Sequence, residues 1–177
     1  MSHPQPPKPA KLLIGVFTRK QELMTAVAAE LMNRFGPIDL VSPLFPFDFT
    51  TYYEKEMGTS LFRRIFVFKS LIQQEALADI KLRTNEIEQI FAVDDKRQVN
   101  IDPGYLLMER LVLATGKNFA HRIYIGRGIY ADLTLIYQKN DYQPLPWTYP
   151  DYAHDDIRRF LALVRNKYLE DLKETPT

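Results

Sequence analysis

The stretch Arg122-Ile-Tyr-Ile-Gly-Arg-Gly-Ile-Tyr-Ala-Asp-Leu-Thr-Leu-Ile-Tyr137 admits two readings with opposite consequences for the fold. The letters Gly126-Arg-Gly-Ile-Tyr-Ala131 satisfy G-x-G-x-x-A, a fingerprint that holds pyrophosphate between a strand and the N-terminus of the next helix. That helix would have to occupy Ile129 to Tyr137, a run dominated by β-branched and aromatic residues. Such side chains lose rotamer freedom in a helix and pack well on a pleated surface. Gly126-Arg-Gly128 instead suits a three-residue hairpin loop. The hairpin predicts antiparallel pairing here and argues against a doubly wound nucleotide fold.

Parity then assigns the faces. A three-residue loop pairs Ile125 with Ile129, Tyr124 with Tyr130 and Arg122 with Asp132. Arg122, Tyr124, Tyr130, Asp132 and Thr134 share one face; Ile123, Ile125, Ala131, Leu133 and Leu135 share the other, which is the expected core. The polar face is either solvated, with a cross-strand ion pair contributing ~0.2–1 kcal/mol, or a ligand floor with an anchored arginine.

Moving outward, Lys11-Leu-Leu-Ile-Gly-Val-Phe17 is an apolar run suited to a buried strand, and Thr18-Arg-Lys-Gln21 matches a capping box. Leu23, Val27, Leu31 and Phe35 recur every four residues before Gly36-Pro37, which predicts a helix with a glycine stop. Ile38 to Ser42 and Leu61 to Phe68 read as strands, separated by an aromatic connector, Pro43 to Gly58, of a length that is usually functional. A helix from about Gln73 to Phe91 carries Leu77, Ile80, Thr84, Ile87 and Phe91 on one face and the row Lys81, Asn85, Glu88 on another. Arg97 to Ile101 reads as a short strand ending in an Asp102-Pro-Gly104 turn, and Leu107, Met108, Leu111 and Val112 suggest a short helix. A last helix presents Ile157, Leu161, Val164, Tyr168 and Leu172. The sum is a single α+β domain, residues 11–172, with a mixed or largely antiparallel sheet and about three main helices, opened by a disordered Pro-rich tail over residues 1–10 and closed by a tail over 173–177.

Composition excludes several classes. The 177 residues carry 23 Lys+Arg against 22 Asp+Glu, so the net charge is +1 and nucleic acid is an unfavoured partner. The chain has no cysteine, which removes disulfides, thiolate metal sites and Cys nucleophiles and agrees with a reducing compartment. With no apolar run long enough for a span or a signal peptide, a cytoplasmic protein that does not act at a membrane is expected. Gly116-Lys117 lacks the first glycine and the Ser/Thr of a P-loop.

The densest donor cluster is Lys117, Asn118, His121 and Arg122, suited to phosphate or carboxylate oxygens. A strand-end histidine is either hydrogen-bonded structure or an acid–base group. Carboxylates at suggestive positions are Glu54 and Glu56 in the aromatic connector, Glu88, Asp102 and Asp132. These residues suggest His121, Asp102 and Glu56 as catalytic candidates, with Lys81, Asn85, Glu88, Lys117, Asn118, Arg122, Tyr124 and Asp132 as ligand-binding candidates. The expected site is one pocket under the Tyr52 to Gly58 segment, although mutual pairing of the same groups into a structural network would satisfy them equally. No metal ligand set is assigned: three scattered histidines argue against zinc, and any cofactor ion would be a hard divalent cation such as magnesium on carboxylates. The function expected is binding of, or catalysis on, a small anionic molecule, phosphorylated compounds and nucleotides included. The alternative is a non-catalytic module whose aromatic loops contact a protein partner or a second copy.

The strings Tyr53-Glu-Lys-Glu-Met-Gly58, Ile80-Lys-Leu-Arg-Thr-Asn85, Asn100-Ile-Asp-Pro-Gly-Tyr105, Lys117-Asn-Phe-Ala-His-Arg-Ile-Tyr124 and Trp147-Thr-Tyr-Pro-Asp-Tyr152, in this order, resemble an uncharacterised prokaryotic family, domain of unknown function 4416. The resemblance spans Lys11 to about Arg165. It implies a bacterial or archaeal single-domain protein and no activity that can be carried over.

Overall fold

A computed structural model describes residues 1, 3–47, 57 and 60–174. The apolar run at the start of the sequence becomes β1 (Ala10–Thr18), in which every residue is buried. Its lack of alternation reflects cover on both faces. Leu12, Ile14 and Val16 pack with α1 (Leu23–Phe35) and α2 (Leu77–Ile90), while Leu13 joins the cluster of the opposite face, to which Ile157, Phe160, Leu161, Val164 and Tyr168 of the C-terminal helix belong. The strand begins at Ala10, one residue before the expected boundary. The exposed residues before it are held where the fold starts, by Tyr168 Oη donating to the Pro9 carbonyl at 2.7 Å and Gln74 Nε2 to the Lys8 carbonyl at 3.0 Å.

Helix α1 follows the predicted periodicity, burying Met24, Val27 and Leu31, and Gly36 ends it at φ +88°. The capping box does not form. Thr18 is still in the strand, where its hydroxyl donates to the Gln98 carbonyl at 2.7 Å and accepts from the Lys20 amide at 3.0 Å, so a cross-strand partner takes the group that would have capped the helix. Next come β2 (Ile38–Val41), β3 (Phe45–Phe47) and the long β4 (Leu61–Ile72), with which β1, β2 and β3 all pair antiparallel. Strands β1 and β2 therefore run parallel with β4 inserted between them.

After a 3-10 turn (Gln74–Ala76) and α2, β5 (Val99–Leu106) pairs with β1 along its whole length. This corrects two expectations. Asp102-Pro-Gly104 is not a turn but continuous strand, and Leu107 to Val112 is not helical: the chain turns after Leu106 into β6 (Arg110–Thr115). Leu106, Leu107, Leu111, Val112 and Leu113 are all buried, so their spacing reflects a strand turn covered on both sides rather than a helical stripe. Gly104 permits the close approach, since a Cβ there would stand 2.5 Å from the Val112 carbonyl oxygen.

The decisive stretch is a hairpin, β7 (Arg122–Gly126) with β8 (Ile129–Gln138), and the pairs Arg122–Asp132 and Tyr124–Tyr130 are as parity requires. The turn differs in detail: Gly126 faces Ile129, Ile125 is an irregularity in the ladder, and Gly126, Arg127 and Gly128 all have positive φ. A tight two-residue turn beside a bulge fits that geometry. The burial of the faces is also corrected. Asp132 and Thr134 are buried whereas Ile123 is 67 % exposed: β7 is the outermost strand, His121 and Arg122 close over the Asp132 carboxylate, and Thr148 donates to the Thr134 carbonyl.

Short β9 (Asp141–Pro144) pairs with β8, and the chain ends in α3 (Pro150–Ala153) and α4 (Asp155–Glu174). Helix α4 continues through residues expected to form the tail. Among the described residues the result is a single α+β domain built on one nine-stranded antiparallel sheet in the order β2-β4-β1-β5-β6-β8-β7, with β3 beside β4 and β9 beside β8. No helix among these residues is long and apolar enough to cross a membrane.

Candidate site in a split of the sheet

Pairing between β5 and β6 covers only Gly104–Leu106 with Leu111–Leu113 and then stops, although both strands continue. Unpaired backbone groups inside a protein must find other partners. Helix α2 supplies them: Lys81 Nζ donates to the Ile101 carbonyl at 2.8 Å, and Glu88 Oε1 accepts from the Ile101 amide at 2.6 Å. Pro103, of the same parity, has no N–H to leave unmatched. The polar row of α2 is thus not a solvated face. Lys81 and Glu88 are buried in the gap and take the place of the missing strand.

A cavity of about 660 Å³ opens at this split. Phe17, Arg63, Asn100, Asp102, Leu113, Thr115, Lys117, Arg122 and Asp132 line it from the sheet and its loops, Lys81, Asn85 and Glu88 from α2, and Tyr149 to Tyr152 from the start of α3. Seven of the residues proposed from sequence therefore meet in one place: Lys81, Asn85, Glu88, Asp102, Lys117, Arg122 and Asp132.

The site is a chain of held charges. Arg97 Nη1 donates to Asn100 Oδ1, and Asn100 Nδ2 to Asp102 Oδ2, each at 2.9 Å. Asp102 Oδ1 lies 3.6 Å from Lys81 Nζ, and Glu88 Oε2 lies 3.6 Å from Arg97 Nη1. Burial pushes the Glu88 carboxyl above its ordinary range, opposed by Lys81 and the Ile101 amide and reinforced by Asp102. Across the cavity, Arg122 donates through Nε to Asp132 at 2.8 Å, through Nη1 to the Lys117 carbonyl at 3.0 Å and through Nη2 to the Tyr149 hydroxyl at 3.0 Å. Burial disfavours its charge, and the bonds to Asp132 and Tyr149 outweigh that. With all three nitrogens engaged, Arg122 acts as a clamp holding Lys117 and Tyr149 at the rim.

A third group was not anticipated from sequence. Arg63 of β4, 2 % exposed, forms an ion pair with Asp151 and donates to the Tyr152 hydroxyl at 2.9 Å, with its guanidinium carbon 4.3 Å from the Tyr152 ring centroid. Burial raises the Tyr152 hydroxyl to about 12, so it stays protonated. Gly15 makes room, since a Cβ there would meet Arg63 Nη2 at 2.8 Å. Strand parity could have found Arg63, which shares the buried face of Leu61 and Ile65. Asp151, Arg97 and Asn100 carried no comparable local mark, whereas Tyr149 and Tyr152 stand in an aromatic loop whose rings could read as ligand lids or as core plugs.

The other candidates lie elsewhere. His121 Nε2 is 3.2 Å from Asp132 Oδ2 and its ring stacks on Trp147 at 4.9 Å, so it supports Asp132 from behind without lining the cavity. Asn118 and Tyr124 are exposed and outside the lining. Glu54, Glu56, Tyr52 and Tyr53, with the segment expected to roof the pocket, fall outside the described residues except for Met57, which is buried in a cluster with Phe17 and Phe47. Among the described residues no three His, Asp or Glu side chains are gathered to hold a metal.

Fold and cavity define a class: a single α+β domain with a charged cleft opened by a split in its antiparallel sheet. Within that class the chain belongs to the family described as Domain of unknown function (DUF4416), matched over residues 8–168. No curated protein and no solved structure matches it.

Proposed function

We propose that the cavity binds a small anionic molecule, with phosphorylated compounds and nucleotides as the favoured classes. The observation that carries this reading is convergence: Arg63, Lys81, Arg97 and the neighbouring Lys117 and Arg122 come from four separate segments of the chain and line one cavity of about 660 Å³. Ligand pockets commonly span roughly 300–1,000 Å³. Aromatic rings of Phe17, Tyr149 and Tyr152 in the same lining suit an organic body attached to the anion.

Calorimetric titration with adenosine 5′-monophosphate and with inorganic phosphate tests the reading on the parent chain and on Lys117→Ala. Lys117 is exposed at the rim, so its truncation spares the core. The parent saturates with at least one probe, and the variant binds that probe roughly tenfold or more weakly, the scale of a lost charge-assisted hydrogen bond. Equal affinity in both proteins, or no saturable binding of either probe, overturns the proposal.

A second reading, a protein-contact surface, draws support from the exposed Phe119, Ile123 and Tyr124 on and before the outermost strand β7.

A further inference from the structure

The four carboxylates that line the cavity are not equivalent. The side chains of Glu88, Asp132 and Asp151 are 9 %, 7 % and 5 % exposed, whereas that of Asp102 is 29 % exposed. Glu88 is committed to the Ile101 amide, Asp132 to Arg122 and Asp151 to Arg63. Asp102 is held differently. Because Arg97 donates to Asn100 Oδ1, the Asn100 amide must turn its Nδ2 toward Asp102, and that donor takes Oδ2. Oδ1 makes no hydrogen bond among the described residues, and its nearest cation, Lys81 Nζ, stands at 3.6 Å, beyond hydrogen-bond reach. Lys81 in turn spends one N–H on the Ile101 carbonyl. The pair is oriented from behind and incompletely satisfied in front: a fixed anionic acceptor beside a fixed cationic donor.

This arrangement selects among anions, and the selection rests on the anion-binding reading given above. A fully ionised ligand without donors, such as inorganic sulfate at neutral pH, gains the cations but meets the Asp102 charge without compensation. A ligand carrying an anionic group and also hydroxyl donors satisfies both members. We infer that the cavity takes a phosphate monoester of a polyol, of the ribose phosphate type, and that Asp102 Oδ1 accepts a hydrogen bond from one of its hydroxyls.

The test compares D-ribose 5-phosphate with inorganic sulfate by calorimetry on the parent and on Asp102→Asn. The amide oxygen of Asn can still accept from Asn100 Nδ2, and Lys81 and Glu88 still hold Ile101, so the split is preserved; an unchanged thermal midpoint within a few degrees checks this. The inference expects opposite signs. Asp102→Asn weakens ribose 5-phosphate by roughly tenfold or more, the scale of a charged hydrogen bond, and strengthens sulfate. A change of the same sign for both probes, or parent binding of sulfate tighter than that of ribose 5-phosphate, overturns the inference while leaving anion binding intact. Failure of both probes to bind the parent removes both. Should Asp102→Asn lose its thermal midpoint, Asp102→Ser, which keeps a small acceptor without the charge, replaces it under the same two criteria.

Discussion

Glu88 answers two opposing demands. Its carboxylate replaces a missing ladder acceptor for Ile101, yet the gap that needs the acceptor also strips the charge of water, and burial raises its pKa above the ordinary 4.5. For an acid with a raised folded-state pKa, the stabilising contribution is complete below the unfolded value and is lost as pH rises through the folded value. Glu88→Gln keeps an acceptor oxygen and removes the titration. Its thermal midpoint relative to the parent therefore rises between about pH 4 and about pH 8. Scanning calorimetry at the two pH values checks this, and a relative midpoint that falls would mean that the pairing with Lys81 and Arg97 dominates over desolvation.

At the scale of elements, β1 is fixed at its N-terminal end by charge rather than by apolar packing alone. Lys11, fully buried near its start, contacts Asp39 of β2 at 2.7 Å and Asp171 of α4 at 2.5 Å, while Lys167 also pairs with Asp171. Burial disfavours the Asp171 charge, but the two lysines outweigh it and hold its pKa below the ordinary 3.8, so this part of the stability is present above that value and lost on acidification through the folded value. Lys11→Met leaves Asp39 and Asp171 with only the more exposed Lys167 as counter-ion and costs up to about 3–5 kcal/mol, read as a lower urea midpoint. Sequence periodicity identified helix α1, the main body of α2, the hairpin and the buried character of β1, because those signals are local. It could not show that Lys11 is interior, since a lysine at the head of an apolar run also reads as a strand boundary. Nor could it show that Asp102-Pro-Gly104 is strand: turn chemistry favours a turn there, and only the absence of β6 alongside Ile101 makes proline harmless. The row Lys81, Asn85, Glu88 was visible as spacing, but whether such a row faces water or a gap is decided by the neighbouring strands.

The whole molecule couples these features. A sheet with helices on both faces would ordinarily close without a cleft; here β5 is parted from β6 before Gly104, α2 seals the backbone edge, and the freed space collects cations from both sides of the divide. The near-neutral composition is mirrored in the cavity lining, where five cationic side chains stand against four carboxylates that brace them. The central claim is that this split is a binding site rather than a self-satisfied network. Amide chemical shifts recorded by ¹H–¹⁵N NMR during titration with adenosine 5′-monophosphate address it most directly. The account predicts saturable shifts concentrated at Ile101, Asp102, Thr115, Gly116 and Lys117, with the Lys11–Asp171 end of the molecule unmoved. Shifts confined to Phe119, Ile123 and Tyr124 on the outer strand, or no saturable shift at all, would contradict it.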